Sequence, residues 1–172
     1  MKLNKIKVAD LVTIAFLMTI EIILTRFCSI NTPIFRIGFG FLPVALIGII
    51  YGPLWAGFCY AAGDVLGLFV FPTGPYFPGF TLTAFLTGLV YGVILWRKPI
   101  TWKRTFLSAL IVCGILNLCL DTLWLQILYG QGIIAMLPGR LIKVAVMIPT
   151  QTFLIRFVWD RVSHTWLPRH PS

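Results

Sequence analysis

Charge is what this sequence has least of. Asp, Glu, Lys and Arg together make up 11% of its 172 residues, five of them acidic and fourteen basic. A soluble domain carries about a quarter charged residues. So few cannot coat a water-facing surface for a chain of this size. Histidine is nearly absent, and His164 and His170 lie close to the C-terminus, outside every apolar run. There is no HExxH pair and no GxxxxGK[ST] phosphate loop, so neither a metalloprotease centre nor ATP hydrolysis has residues to work with. Cys28, Cys59, Cys113 and Cys119 stand singly in apolar surroundings without CxxC spacing. That pattern suits small buried thiols and supports no thiolate metal site. The expectation is a protein without catalytic residues, cofactor or metal.

What the sequence has in quantity is hydrocarbon: 59% of residues are hydrophobic, and the mean hydropathy is +0.94. The apolar residues come in runs of about 17–25, the length a helix needs to cross a bilayer at 1.5 Å per residue. The expected fold is all-α: a polytopic membrane protein of six transmembrane helices, forming a single membrane domain over 1–172. The spans fall at roughly 8–28, 37–51, 54–71, 80–96, 105–128 and 139–161. Punctuation separates them: Tyr51-Gly52-Pro53, the Pro/Gly-rich segment 72–79, the basic stretch RKPITWKR at 97–104, and Gly130, Gly132 and Pro138. The second span is short for a full crossing, which calls for a tilt or for burial among its neighbours. Met1 to Lys7 is basic and leads straight into an apolar stretch with no small-residue cleavage site, as expected of a retained first helix.

The net charge is +9, yet the basic residues sit at span ends rather than in one patch, so they read as topology signals and not as a nucleic-acid surface. With six spans both termini share a side with the 97–104 loop. That side carries Lys2, Lys5, Lys7, Arg97, Lys98, Lys103, Arg104, Arg156, Arg161 and Arg169, against Arg26, Arg36, Arg140 and Lys143 on the other. The positive-inside rule then makes both termini cytoplasmic.

The four outward cations run against that bias. Arg26 ends the first span and Arg36 begins the second, while Arg140 and Lys143 open the sixth, three residues apart on one face. Each alone suits snorkelling to lipid phosphate. Together they suit an anion site, helped by the positive end of the sixth helix. Tyr76, Phe77 and Phe80 lie on the same side with Trp124 and Tyr129. They fit either an interfacial aromatic belt or a stacking clamp for a flat ring, stiffened by Pro72, Pro75 and Pro78. Three carboxylates fall inside spans: Glu21, Asp64 and Asp121. Intramembrane acids are costly and should face the protein interior. Asn117, Asp121 and Trp124 share a stripe at i, i+4 and i+7, where Asp121 is placed to bond a polar ring edge. Asp64 suits an interhelical hydrogen bond, and Glu21 a pairing with Arg26 or Arg36. Small-residue steps occur at Ala15 and Thr19, and at Gly57, Ala61, Gly63 and Gly67. They permit close helix approach, within the chain or to a partner.

Several segments carry a family resemblance: LTRFCSI (24–30), FRIGFGFLPVALIGIIYGPLWAG (35–57), GDVLG (63–67), PTGPYFPGFTLTAFLTGLVYG (72–92) and PGRLIK (138–143). Over essentially its whole length the chain resembles the substrate-binding S components of energy-coupling factor transporters, of the folate-specific type. The resemblance implies a six-helix protein of the bacterial plasma membrane that binds its vitamin from outside. It also implies partners, an EcfT-type membrane coupling subunit and two EcfA-type cytoplasmic ATPases, and delivery of folate by toppling of the S component. In that family an AxxxA step on the first helix touches the coupling subunit; the aligned step here is Ala15 to Thr19, with threonine in place of the second alanine. Arg26 falls on the same helical stripe, so one face would serve partner and ligand at different depths. The residues themselves specify a flat, small, anionic ligand. An S component for another such vitamin, or an assembly protein with no small ligand, are the competing readings.

Overall fold

The computed structural model describes residues 8–27, 29–31, 36–71, 77–130 and 133–166. Within that set it describes only the backbone of 29–31, 36, 37, 129, 133–137 and 164–166. The elements run α1 (Val8–Arg26), β1 (Ser29–Asn31), β2 (Arg36–Gly38), α2 (Phe41–Tyr51), α3 (Pro53–Val70) and α4 (Pro78–Leu95). There follow α5 (Trp102–Leu110), a π-helical segment (Ile111–Leu120), α6 (Asp121–Tyr129) and α7 (Ile133–Trp166). The run Trp102–Leu128 is one continuous span, and with α1, α3, α4 and α7 it makes five helices long and apolar enough to cross a membrane. The architecture is nearly all-α. Its β content among the described residues is one short antiparallel pair, with Ile30 opposite Ile37 and Asn31 opposite Arg36.

α2 resolves the puzzle of the short second span. Eleven residues rise only about 17 Å, and Phe41, Pro43, Val44, Ala45, Leu46, Ile47, Gly48 and Ile49 are all buried. A helix apolar all round belongs inside, and α2 is enclosed by α1, α3, α4 and α7. The Gly52 turn that releases it has φ +102°, a conformation open to glycine, and Trp96 rests against it. Pro53 then starts α3 at the first helical position, where its missing N–H costs nothing.

α4 is held to both neighbours by glycine. A Cβ on Gly88 would strike the Ala56 carbonyl of α3, one on Gly92 would strike Pro53, and one on Gly48 would sit 3.0 Å from the Gly92 nitrogen. Gly88 and Gly92 form a G-x-x-x-G step, the pattern that lets membrane helices meet at backbone distance. The glycines of α3 are likewise used internally: Gly57 receives the Phe85 ring, Gly63 the Glu21 carboxylate and Gly67 the Arg26 guanidinium.

Two boundaries differ from expectation. Residues 29–31 and 36–38 pair as strands, so Arg36 stands in β2 and not at the start of a helix. α7 begins at Ile133, and Pro138 lies within it. Proline reads as a breaker in sequence, but membrane helices tolerate it because neighbours satisfy the freed carbonyl. Among the described residues the central contact is polar. Tyr91 Oη donates to Gln151 Oε1 at 2.8 Å, and the Cys113 thiol approaches the same oxygen at 3.4 Å, joining α4, the π segment and α7.

Gly88→Val forces the α3 backbone away from α4. It is expected to lower stability by about 1–3 kcal/mol, read as a fall in melting temperature in detergent. Val93→Ala, on the exposed face of the same helix, is expected to change it by less than about 0.5 kcal/mol.

Candidate functional site

The end of the bundle where α1 and α3 finish and α4 and α7 start collects several interior polar groups, among them Glu21, Thr83, Thr122 and Arg140. α4 is its spine. Thr81 and Thr83 are two residues apart and so face opposite neighbours. The Thr81 hydroxyl donates to Asp64 Oδ2 of α3 at 3.0 Å. On the other side Thr83 Oγ1 accepts from the Trp124 indole N–H of α6 at 3.1 Å and donates to the Gly79 carbonyl at 3.1 Å. The Asp121 carboxylate lies within hydrogen-bonding reach of the same hydroxyl. The Asp64 carboxylate inside its apolar helix is thereby met by a donor from α4, as hydrocarbon requires.

Phe77 caps this group at the foot of α4. Its ring centroid is 5.6 Å from Trp124 and 6.1 Å from Phe80, the latter edge-on at 72°. Gly79 underlies the corner, since a Cβ there would meet both the Trp124 and the Phe77 rings. These rings sit inward on a polar cluster, an arrangement beyond what an interfacial belt needs. Tyr76 lies outside the described residues.

Three of the four cations expected to face outward converge here. The Arg26 guanidinium lies over Gly67, and its Nη2 donates to the Asp64 carbonyl at 3.3 Å. Arg140 is only 6% exposed; its Nη1 donates to the Asn117 carbonyl at 3.1 Å and to Thr122 Oγ1 at 2.8 Å. Arg140 and Lys143 both lie within electrostatic reach of Asp121. For Arg36 only the strand position, opposite Asn31, is described. Glu21, 1% exposed, accepts from Thr25 Oγ1 at 2.8 Å and packs on Gly63.

Two expectations need correction. Arg140 and Lys143 do not open the last helix but lie two turns inside α7, which starts at Ile133. The dipole of that helix end falls off within a turn and so contributes little at either residue. The stripe Asn117–Asp121–Trp124 assumed α-helical spacing throughout, whereas Asn117 stands in the π segment, whose turns take an extra residue. Asp121 and Trp124 remain neighbours on α6 and both reach Thr83, while the Asn117 amide lies beside Cys113. Thr81, Thr83 and Thr122 were missed from sequence. Their signal was faint: hydroxyls in apolar helices usually bond their own backbone.

At the other depth of α1, Ala15 and Thr19 are exposed, and the Thr19 hydroxyl folds back onto the Ala15 carbonyl at 2.9 Å. The pair presents a smooth outer stripe, and Arg26 escapes it by turning onto α3.

The sequence profile of the ECF transporter substrate-specific component matches residues 9–158. The chain belongs to this family. Such an S component is a multi-pass membrane subunit of a transporter and not an enzyme. The folate transporter FolT of Clostridium novyi is 47% identical over 156 residues, 91% of each chain. FolT of Leuconostoc mesenteroides is 30% identical over 169 residues, 94% of this chain and 91% of that one. The crystal structure of FolT bound with folic acid superposes with a TM-score of 0.86 at 36% identity, covering 90% of this S component and 95% of that chain.

Thr83→Val leaves the Trp124 indole N–H without its acceptor and is expected to cost about 1–3 kcal/mol. Adding Trp124→Phe removes the orphaned donor. Chemical unfolding of both singles and the double should therefore give a coupling energy above about 0.5 kcal/mol.

Proposed function

We propose that this S component captures folate at the site built on α4 and passes it inward as part of an energy-coupling factor importer. The observation that carries the reading is the meeting, inside an apolar bundle, of three kinds of group. The Phe77–Trp124 ring corner suits a flat pterin. Asp121, which shares the Thr83 hydroxyl with Trp124, is the partner for a polar ring edge. Arg26, Arg140 and Lys143, with Arg36 on the adjoining strand, supply positive charge for two glutamate carboxylates. The identity to folate transporters favours folate over another flat anionic vitamin, and a ligand site of this composition has no use in an assembly protein.

The basic residues of the 97–104 loop and of both tails orient the chain with its termini in the cytoplasm and the site outward. All of 1–172 acts as one membrane domain in the cell membrane. It has no nucleotide site, so the free energy of uphill import comes from two EcfA-type ATPases through an EcfT-type coupling subunit. A bundle this small leaves little room for two gates, and toppling of the whole subunit carries the site across. The exposed Ala15–Thr19 stripe suits a close, sliding contact with the coupling subunit.

Purified protein in detergent is expected to retain folate and to ignore riboflavin and thiamine; retention of no vitamin would overturn the reading. Arg26→Ala or Lys143→Ala is expected to weaken folate binding by roughly 2–5 kcal/mol, because a ligand carboxylate is left desolvated and unpaired. Isothermal titration reads the loss.

Ala15→Trp places a large ring on the coupling stripe, away from the site. Folate binding by the lone subunit should stay near wild type while co-purification with the coupling subunit and uptake by reconstituted vesicles disappear. Intact assembly with lost binding would contradict the assignment.

A further inference from the structure

The π-helical segment creates a vacancy in the hydrogen-bond ladder of its own span. In a π turn an N–H reaches back five residues, and in an α turn four. At the exit of the segment Asp121 N–H bonds the Leu116 carbonyl, five residues back. From there α6 pairs over four residues, and Gly130 N–H still reaches Gln126 in that way. A change from five to four skips one carbonyl, and the register places the skip at Asn117. Inside hydrocarbon a skipped carbonyl has no water to turn to, and its cost is that of a lost hydrogen bond.

Arg140 fills it. Its Nη1 donates to the Asn117 carbonyl at 3.1 Å and to Thr122 Oγ1 at 2.8 Å. The Thr122 hydroxyl in turn donates to the Leu118 carbonyl. One guanidinium nitrogen and one hydroxyl thus cover the first carbonyls of the exit. The Arg140 Nε makes no hydrogen bond among the described residues, and both side-chain bonds of this residue run through Nη1 to the exit. The residues immediately past that exit are Asp121 and Trp124, which meet Thr83 and Phe77.

We propose that Arg140 is a positioning residue: by occupying the carbonyl skipped at Asn117 it locks the π-to-α junction, and the junction sets the register of Asp121 and Trp124 toward the ring of the ligand. This rests on the folate reading above and refines it, because Arg140 then acts on the ring side of the site rather than as a contact to the glutamate carboxylates. Arg26 and Lys143 are left to those.

The test compares two ligands on three proteins. Folate and folate diamide share their rings, but the diamide carries neutral amides in place of both carboxylates. Wild type, Arg140→Met and Arg140→Lys are titrated with each. Met keeps length and volume without a donor, and Lys restores a donor with nearly the same reach. Arg140→Met is expected to weaken folate and diamide by the same factor, about tenfold or more, and Arg140→Lys to recover most of both losses. The folate-to-diamide affinity ratio therefore stays at its wild-type value throughout. A loss confined to folate, collapsing that ratio, would show direct carboxylate contact and overturn the proposal; so would wild-type affinity in Arg140→Met.

Amide hydrogen exchange on the ligand-free proteins reads the junction itself. Exchange should accelerate in Arg140→Met across 121–126 and remain unchanged in α1, with Arg140→Lys close to wild type. Unaltered exchange at 121–126 would also overturn the proposal. Wild type that binds neither ligand defeats the folate reading alone, since the exchange measurement still decides whether Arg140 holds the junction. If Arg140→Met does not fold, Arg140→Gln, shorter and uncharged, takes its place in both comparisons with the same expected outcomes.

Discussion

Backbone and side-chain polar groups of this protein have no water to fall back on over most of their length, and several unusual features of the structure answer that constraint. Helices satisfy their own N–H and C=O groups, which is why apolar runs become helices at all. Where the ladder is broken, another group takes over. Trp124 and Asp64 are met by Thr83 and Thr81, Glu21 by Thr25, and the carbonyl skipped at Asn117 by Arg140. The polar interior is a set of compensations, and the candidate site lies where they concentrate.

The same constraint explains how so small a bundle holds together. Between helices in lipid there is little hydrophobic drive to associate, so contact must come from close packing. Gly48, Gly88 and Gly92 bring α2, α3 and α4 to backbone distance, and Gly63 and Gly67 make room on α3 for Glu21 and Arg26. Large side chains turned outward, such as Phe58, Phe69 and Phe153, then meet lipid, where exposure costs nothing. α2 is the exception in being short and buried on nearly all sides, and it forms the core around which the longer helices stand.

Function follows from the division of α1 into two depths. Toward one end Glu21, Thr25 and Arg26 turn in on α3 and border the proposed site. Toward the other Ala15 and Thr19 stay outside and offer a narrow surface with no bulky side chain. On the proposed reading, a subunit that binds at one end and couples at the other can separate affinity from energy input.

The sequence by itself determined the class of protein. Scarce charge and apolar runs of spanning length admit no other solvent than a bilayer, and that inference depends only on composition and length. It also marked Arg26, Arg140, Lys143 and Asp121 as residues out of place in hydrocarbon, because a costly group in lipid stands out in one dimension, and it set Phe77 and Trp124 on one side as a belt or a clamp. Only the tertiary structure decided what meets them. Thr81 and Thr83 are ordinary hydroxyls in an ordinary apolar helix until α3 and α6 bring Asp64 and Trp124 to them. The start of α7 at Ile133 and the pairing of β1 with β2 depend on neighbours that override the local signals of proline and glycine. The π segment was invisible for the same reason. Its extra residue per turn is stabilised by a guanidinium from another helix, and a contact between positions 117 and 140 leaves no trace in the local pattern of either.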